Sequence, residues 1–317
     1  MISNLEFQNT IFKAVTLLTQ AKTKPRNFTL SVKKRFDGFT LLDLYATSFP
    51  HVEREYWKTK IENGNLLLDG KKTTPNQRVK AGQITQHSVP PKDEPQVSFE
   101  IELIKATDDY WVINKPSPLP VHAGGRYQNN TLTHILKTAF PNQKIHLINR
   151  LDANTTGIVL VALNKETAQN LGKQFENREV TKTYLALVEG IPQNELFESS
   201  KSISKTKTPA GGRKLEEGYE SNTDFEILKT FGNQTLLKVT PHSGRTNQIR
   251  LHLADLGLPI VGDLGYKNPE YYKNNPLTYP NDSLFLHAWK LRFRDSNGEE
   301  KEVKSEVGPK WKSFLHS

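Results

Sequence analysis

The chain has 317 residues, enough for two domains, and its 43 Lys and Arg against 34 Asp and Glu give a formal net charge of +9. This balance favours an anionic partner, most commonly nucleic acid, although a merely basic surface would have the same composition. The absence of cysteine excludes disulfides, thiol nucleophiles and Cys-based zinc sites, and no apolar run is long enough to span a membrane.

Residues 1–26 are expected to be an N-terminal extension. They contain one short apolar patch at 11–18, without the charged lead and the small-residue cleavage site of a signal peptide. We therefore expect at most a short helix here. Together with the lack of cysteine, this favours a cytoplasmic protein.

Residues 27–92 are predicted to form a small separate unit. An apolar cluster at 41–45 precedes apolar residues at helical spacing over 52–61, and Gly64 is placed to end that helix. Residues 65–71 predict a strand that enters an Asp-Gly turn. Basic residues on the helix and beyond it either bind a phosphate backbone or form a solvated face. They are Arg54, Lys58, Lys60, Lys71, Lys72, Arg78 and Lys80.

One pattern runs through this unit: Trp57-Lys-Thr-Lys-Ile-Glu-Asn-Gly64, then Leu68-Asp-Gly70, Pro75, Val79 and Gly82. The pattern resembles a known RNA-binding module, the one named after ribosomal protein S-four. It implies a small α/β domain that binds RNA, with Arg54, Lys58 and Lys71 among the contacts.

A proline-rich linker at 89–95 ends the small unit, so we expect a second domain over residues 93–317. Strands outnumber helices in it and do not alternate with them strictly. This predicts an α+β fold with mixed or mainly antiparallel sheets flanked by helices. Strands are predicted at 97–103, 110–114, 158–163, 183–189, 223–228, 236–240, 286–288 and 291–293, and helices at 131–140, 165–177 and 249–256. Residues 195–217 are a basic hairpin or loop, or an insertion without a role.

Missing motifs exclude several kinds of enzyme. No G-x-G-x-x-G follows a predicted strand, no H-E-x-x-H occurs, and no G-x-S-x-G is present. The nine histidines have no ligand spacing. We therefore expect neither a nucleotide cofactor nor a metal, and no serine-hydrolase chemistry.

Three polar groupings remain: Arg150 with Asp152, Lys182 with Tyr184, and Arg245 with Arg250. Side chains alternate between the two faces of an extended backbone, so Arg150 and Asp152 would lie on the same face. Taken singly, the aspartate could be a turn residue, the tyrosine a half-buried strand residue and the arginines surface charges. Arginine at the start of a helix, however, opposes the helix dipole unless it faces an anion.

Together these residues resemble the RluA-type pseudouridine synthases. The family motif H-R-L-D-x-x-T-S-G corresponds to Asn149-Arg-Leu-Asp-Ala-Asn-Thr-Thr-Gly157. Further blocks match in order: Lys115-Pro116; Arg178 through Lys182-x-Tyr184; Gly244-Arg-Thr-Asn-Gln-Ile-Arg-Leu-His252; Gly257-Leu-Pro-Ile-Val-Gly-Asp263 with Tyr266; and Leu286-His-Ala288. The resemblance covers about residues 97–293. Asn149 and Asn247 stand where the family usually has His. These departures leave open the detailed orientation of the site residues and the subgroup of the family.

The resemblance implies an isomerase that breaks the bond between ribose and a base nitrogen and rejoins the ribose to a base carbon. Nothing is oxidised and nothing leaves, so no cofactor is required. A carboxylate suits this chemistry, either as a nucleophile at the sugar or as a base that removes a sugar proton. Asp152 is the expected catalytic residue, and the sequence leaves both roles open.

The remaining site residues follow from the same resemblance. We expect Arg245 to pair with Asp152 and keep it ionised, with Arg250 as the second candidate. Tyr184 is expected to stack on the flipped uracil, because a flat ring tolerates rotation of the base. Arg150 is expected to contact the RNA backbone or to fill the space that the base vacates.

Ribosomal or transfer RNA is the expected partner of a monomeric enzyme. The segment Pro120-Val-His-Ala-Gly-Gly-Arg126 resembles the subgroup with eukaryotic tRNA-modifying members, and Arg126 and Arg250 count among the RNA contacts. Two alternatives stay open. The His-to-Asn departures favour a non-catalytic RNA-binding or ribosome-assembly protein, and the carboxylate chemistry is shared with an N-glycosidase that would release free uracil.

Overall fold

A computed structural model of the chain describes residues 2–20, 25–50, 52–89, 94–125, 127–206, 212–267 and 284–315. The chain divides into two compact units, one formed by Met1–Ala21 with Glu94–Ser317 and the other by Lys22–Asp93. Arg126, predicted to contact RNA, lies outside the described residues.

Helix α1 (Asn4–Gln20) belongs to the core of the larger unit. Phe7 and Ile11 are 0% and 2% exposed, and the ring of Phe7 stacks on Phe140 with the centroids 5.3 Å apart. The side-chain amide of Gln8 donates to the carbonyl of Ile101 at 2.6 Å. The segment expected to be an extension therefore packs as an integral helix, because its apolar positions form a buried stripe.

The smaller unit combines an antiparallel sheet with two helices. Helix α2 (Leu41–Ser48) is capped by Thr40, whose hydroxyl accepts from the Asp43 N–H, and helix α3 (Arg54–Glu62) is followed by Gly64 with φ +69°. The predicted Asp-Gly turn is present, with positive φ at both residues. The sheet order is β1-β3-β2, with β1 Arg26–Ser31, β2 Leu66–Leu68 and β3 Ile84–Val89. The likeness to the S-four module stays a prediction.

The larger unit is built on a mixed sheet flanked by helices. Its strands are β4 (Glu102–Ala106), β5 (Tyr110–Lys115), β6 (His146–Leu147), β7 (Thr156–Ala162), β8 (Thr181–Glu189), β9 (Leu196–Ser199), β10 (Ile203–Ser204), β11 (Gly218–Tyr219), β12 (Thr223–Phe231), β13 (Gln234–Pro241), β14 (Leu286–Arg294) and β15 (Glu300–Lys304). Its further helices are α4 (Leu132–Ala139), α5 (Lys165–Glu176), α6 (Gln248–Asp255), α7 (Leu264–Lys267) and α8 (Lys312–Leu315).

The main sheet runs in the order β4-β5-β7-β14-β8-β13-β12-β9, with β6 beside β7 and β15 beside β14. Strands β7 and β14 pair in parallel, and the other paired strands of the described chain are antiparallel. Strands β10 and β11 form a separate hairpin. The predicted α+β class with mixed, mainly antiparallel sheets is confirmed.

Two strand predictions differ from the structure. The strand expected at 97–103 begins only at Glu102, although Val97 and Ile101 are buried. The strands expected at 286–288 and 291–293 are one strand, since a register shift between Ala288 and Lys290 interrupts its apolar pattern without ending it.

Glycine allows the close approach of β7 and β14. Gly157 has φ +112°, and a Cβ there would lie 2.6 Å from the amide nitrogen of Ala288 and closer still to its carbonyl oxygen. Any other residue would therefore separate the two strands. Their contact brings the polar turn before β7 next to β14 and β8.

Candidate active site

A polar cleft of about 470 Å³ opens between the turn before β7, strand β8 and the segment leading into α6. Residues far apart in the sequence line it, among them Arg150, Asp152, Tyr184, Arg245, Asn247 and Arg250. The three residues predicted to be catalytic, at positions 152, 184 and 245, are thus brought to one cleft.

Asp152 pairs with Arg250, so the predicted pairing with Arg245 is wrong. The Oδ2 atom of Asp152 lies 3.5 Å from Nη1 of Arg250, whose side chain is 7% exposed. Arg250 lies in the first turn of α6 and faces the cleft, whereas Arg245 precedes the helix and turns towards β11. The predicted RNA contact by Arg250 is not supported, because its guanidinium is buried among carboxylates.

A second carboxylate holds Arg250 in place. Its Nε and Nη2 atoms donate to the two carboxylate oxygens of Asp263 at 2.7 and 2.8 Å, and Nη1 donates to Oδ1 of Asn247 at 3.2 Å. The guanidinium carbon lies 4.8 Å from the ring centroid of Tyr266. The planar guanidinium of Arg250 is held along two edges and therefore has one orientation. The carboxylate of Asp152 is oriented by its contact with this fixed group.

Both asparagines that depart from the family motif make defined contacts. Asn247 has φ +59°, a conformation that asparagine tolerates well, and its amide donates to the hydroxyl of Tyr266 at 2.8 Å. Asn149 continues the ladder of β7, because its amide donates to the Ile158 carbonyl at 3.0 Å and accepts from the Leu160 N–H at 2.8 Å. The departures therefore retain polar positioning groups.

A buried lysine supports the turn that carries Asp152. Lys115 is 0% exposed, and its ammonium donates to the carbonyls of Pro116, Leu119 and Ala153 at 2.8, 2.9 and 3.1 Å. The Ala153 carbonyl also accepts from the Leu119 N–H at 2.9 Å. A buried cation stabilised by three carbonyls thus fixes the residue next to Asp152.

Arg245 is held at the rim of the cleft by the hairpin. Its guanidinium carbon lies 4.8 Å from the ring centroid of Tyr219, and its Nε is 3.5 Å from the Glu220 carbonyl. Its backbone N–H donates to Oε1 of Gln248 at 3.1 Å, which also accepts from the Ser243 hydroxyl at 2.7 Å. The arginine thus has a defined place outside the Asp152 pair.

Tyr184 and Lys182 lie two residues apart on β8, and both have shifted ionisation. Burial and the charge of Asp152 raise the pKa of the Tyr184 hydroxyl, so the side chain is a neutral phenol. Burial, with the charges of Arg178 and Arg245, lowers the pKa of Lys182 to about 8. The Lys182 ammonium donates to the Ser243 carbonyl at 2.9 Å.

The remaining predicted RNA contacts are spread over both units. Arg150 is exposed and lines the cleft beside Asp152. In the smaller unit, Arg54 pairs with Asp43 at 2.7 Å, Lys58 pairs with Glu55 at 3.2 Å, and Lys71 is exposed after the Asp-Gly turn. Exposed ion pairs of this kind contribute little to stability, so these cations can exchange partners. RNA binding by these residues stays a prediction.

The roles of Asp263, Gln248 and Tyr266 were missed by sequence reasoning. All three lie in blocks that match the family, yet no pattern assigned them a contact. A charged residue at the end of the apolar stretch 258–261 was the available signal for Asp263, since a buried carboxylate needs a partner.

The described ranges contain no group of three or more His, Asp or Glu side chains arranged to hold a metal ion. Within the same ranges, none of the helices combines the length and the apolar character needed to cross a membrane.

Comparison with known proteins finds RNA pseudouridine synthases. A family model described as RNA pseudouridylate synthase matches residues 109–255. Ribosomal large subunit pseudouridine synthase C of Haemophilus influenzae is 30% identical over 274 residues, covering 80% of this chain and 84% of that protein. The mitochondrial tRNA pseudouridine(32) synthase of Saccharomyces cerevisiae is 34% identical over 261 residues, covering 80% of this chain and 56% of that protein.

The fold has a solved counterpart. The structure of human RNA Pseudouridylate Synthase Domain Containing 1 is similar with a TM-score of 0.55 and 29% identity, covering 68% of this chain and 86% of that chain. Sequence, fold and the arrangement around Asp152 lead to one conclusion: the chain belongs to the RluA-type RNA pseudouridine synthases, a family of isomerases.

Proposed function

We propose that the chain converts uridine to pseudouridine in ribosomal or transfer RNA, without a cofactor and with Asp152 as the essential residue. The observation that carries the proposal is the Asp152 carboxylate, which lines the cleft and lies 3.5 Å from the fixed guanidinium of Arg250.

Asp263 and Asp152 contact Arg250 unequally, and the weaker contact suits Asp152 as the reactive carboxylate. Asp263 takes the bidentate contact, whereas Asp152 has the longer one and keeps 31% of its side chain exposed. A carboxylate that is oriented but not fully paired retains lone pairs for the substrate. It can attack the sugar as a nucleophile or remove a sugar proton as a base, and the geometry is compatible with both.

Tyr184 supports the proposal as a neutral ring beside Asp152. A flipped uracil needs a flat apolar surface, because leaving the stack costs on the order of a few kcal/mol. A phenol that stays protonated at neutral pH provides this surface and can also donate a proton during the rejoining of the base.

The choice of RNA rests on relatives only. One relative is named for a large ribosomal subunit and another for position 32 of tRNA, and the latter is named as mitochondrial. We propose ribosomal or transfer RNA as the substrate, and a monomer in the cytoplasm as the working form. Mapping pseudouridines in total RNA from cells with and without this protein identifies the uridine.

Replacing Asp152 by Asn tests the central assignment. The amide keeps the shape and removes the ionisable group, so we expect pseudouridine formation to fall by at least about a hundredfold while RNA binding is retained. Tritium release or chemical mapping measures the product, and a filter assay measures binding.

The matched control is Asp108→Asn, the same change at an exposed aspartate in the turn between β4 and β5. It should leave the rate unchanged. A normal rate in Asp152→Asn would disprove the assignment of Asp152. Free uracil as the product of the wild-type protein would replace the isomerase proposal with an N-glycosidase.

A further inference from the structure

The hairpin of β10 and β11 places an aromatic ring under Arg245. We propose that Tyr219 and Arg245 together form an RNA-backbone site at the rim of the cleft, in which Arg245 binds a phosphate near the flipped uridine and Tyr219 holds its guanidinium. This inference rests on the proposed function and extends it: the family resemblance assigned no role to Tyr219 and a different role to Arg245.

The hairpin is anchored firmly enough to position Tyr219. A Cβ at Gly218 would lie 2.8 Å from the carbonyl carbon of Ile203, so only glycine allows the two strands to approach this closely. The Ser221 hydroxyl donates to the Lys201 carbonyl at 2.6 Å and lies 3.1 Å from Nε2 of the buried His252 on α6. The segment that follows Tyr219 is therefore tied, through Ser221, to the helix that carries Arg250.

Tyr219 has the exposure expected of a contact surface. It is 44% exposed, with Arg245 over its ring at 4.8 Å and the ammonium of Lys205 5.9 Å from its centroid. Cations over an exposed aromatic face keep their charge available to solvent and to ligands. A flat guanidinium supported in this way can bind a phosphate bidentately or stack on a base.

Arg245 lies close to other positive charges. Among the described residues Arg245 makes no ion pair, and its charge and that of Arg178 both act on the ammonium of Lys182. The lowered pKa of Lys182, about 8, reflects its burial and this mutual repulsion. An anion at this place would relieve the repulsion, and phosphate is the anion that accompanies a uridine into the cleft.

Four variants of the full chain test the proposal. They are Tyr219→Ala, Tyr219→Phe, Arg245→Gln and the double variant Tyr219→Ala with Arg245→Gln. The probe is an unmodified transcript that carries the uridine found by mapping. We measure kcat and KM, and the Kd at several salt concentrations in the Asp152→Asn background, where no turnover occurs.

We expect Arg245→Gln to weaken binding about tenfold. The negative slope of log K against log salt should become shallower by about 0.7 to 0.9, as the removal of one phosphate contact requires. Tyr219→Ala should weaken binding about three- to fivefold and raise KM more than it lowers kcat. Tyr219→Phe should bind like the wild type, because the ring is kept. The double variant should resemble Arg245→Gln alone, since the tyrosine acts through the arginine.

Lys229→Gln is the matched control for charge. Its ammonium also lies over an aromatic ring, that of Phe231 at 5.3 Å, and it does not line the cleft. It should leave the Kd and the salt slope unchanged. Thermal unfolding of every variant identifies any loss of fold.

Wild-type binding and salt slope in Arg245→Gln would overturn the proposal, as would full additivity in the double variant. A Tyr219→Phe variant as weak as Tyr219→Ala would also overturn it. These failures differ from failure of the proposed function, in which the wild-type protein itself forms no pseudouridine.

Discussion

Arg250 contacts two carboxylates that differ in burial, Asp152 and Asp263. We assign a structural role to the buried Asp263 and the chemical role to the more exposed Asp152. Asp263 is 3% exposed and also accepts from the backbone N–H groups of Gly265 and Tyr266 at 3.2 and 3.3 Å. Asp152 has the more open position. The buried pair fixes the cation, and the cation then orients the exposed carboxylate.

Replacing Asp263 by Asn tests this division. The amide occupies the same space but removes the charge of the bidentate partner, while the more exposed Asp152 stays 3.5 Å from Arg250. We expect this change to cost about 3 kcal/mol of unfolding free energy, the lower end of the range for a broken buried ion pair. Arg250 would then be free to turn fully towards Asp152, so kcat should fall at least about tenfold. Urea unfolding and steady-state kinetics measure the two effects.

Asp295→Asn is the control for Asp263→Asn, since Asp295 is also nearly buried, pairs with Lys301 at 3.3 Å and lies outside the cleft. It should lose stability without a change in kcat. If Asp263→Asn behaves in the same way, Asp263 has a structural role only.

At the scale of elements, the parallel contact of β7 and β14 positions the turn before β7, which carries Asp152, against the other residues of the cleft. Gly157 allows the approach, and next to it the hydroxyl of Thr156 lies 2.7 Å from Nδ1 of His287. His287 is 1% exposed, and its burial lowers its pKa to about 4. The strand contact therefore depends on a neutral histidine.

This contact should make stability depend on pH in mildly acidic solution. The pKa of His287 is about 4 in the folded protein and 6.5 in the unfolded chain. As the pH is lowered, the unfolded chain therefore binds a proton before the folded protein does. Stability is therefore fully present above pH 6.5 and falls as the pH is lowered towards 4. Between pH 7 and pH 5 the decrease should be about 2 kcal/mol.

The measurement compares urea unfolding of the wild type and His287→Gln at pH 7 and pH 5. The variant should lack the decrease assigned to His287, while His146→Gln, at an exposed histidine of β6, should keep it. Equal pH dependence in the wild type and His287→Gln would show that the histidine does not control this contact.

At the scale of the whole molecule, local patterns predicted elements well and contacts between elements poorly. The helix expected at 131–140 is present as α4 with Thr131 as its cap, because apolar periodicity and capping are local properties. Strand β15 was missed since its sequence, Glu-Lys-Glu-Val-Lys, has almost no apolar signal. The partner of Asp152 was misassigned because two arginines in one motif differ only in the direction of their side chains.

The N-terminal helix changes how the smaller unit is best tested. A deletion through residue 91 would remove α1 and with it the buried Phe7 and Ile11, so it would damage the larger unit as well. Substitutions in the full chain avoid this. The triple variant Arg54→Gln, Lys58→Gln and Lys71→Gln removes three predicted phosphate contacts without touching either core.

We expect the triple variant to weaken RNA binding. The negative slope of log K against log salt should become shallower by about 0.7 to 0.9 for each phosphate that is no longer neutralised. A control with the same change in charge replaces Lys13, Lys165 and Arg292, which are exposed in the larger unit and lie outside the cleft. Its slope should stay near that of the wild type. Equal slopes in both triple variants and the wild type would mean that the basic face of the smaller unit is only solvated. A slope that becomes shallower in the first triple variant alone would establish that the basic residues of the smaller unit bind the RNA backbone.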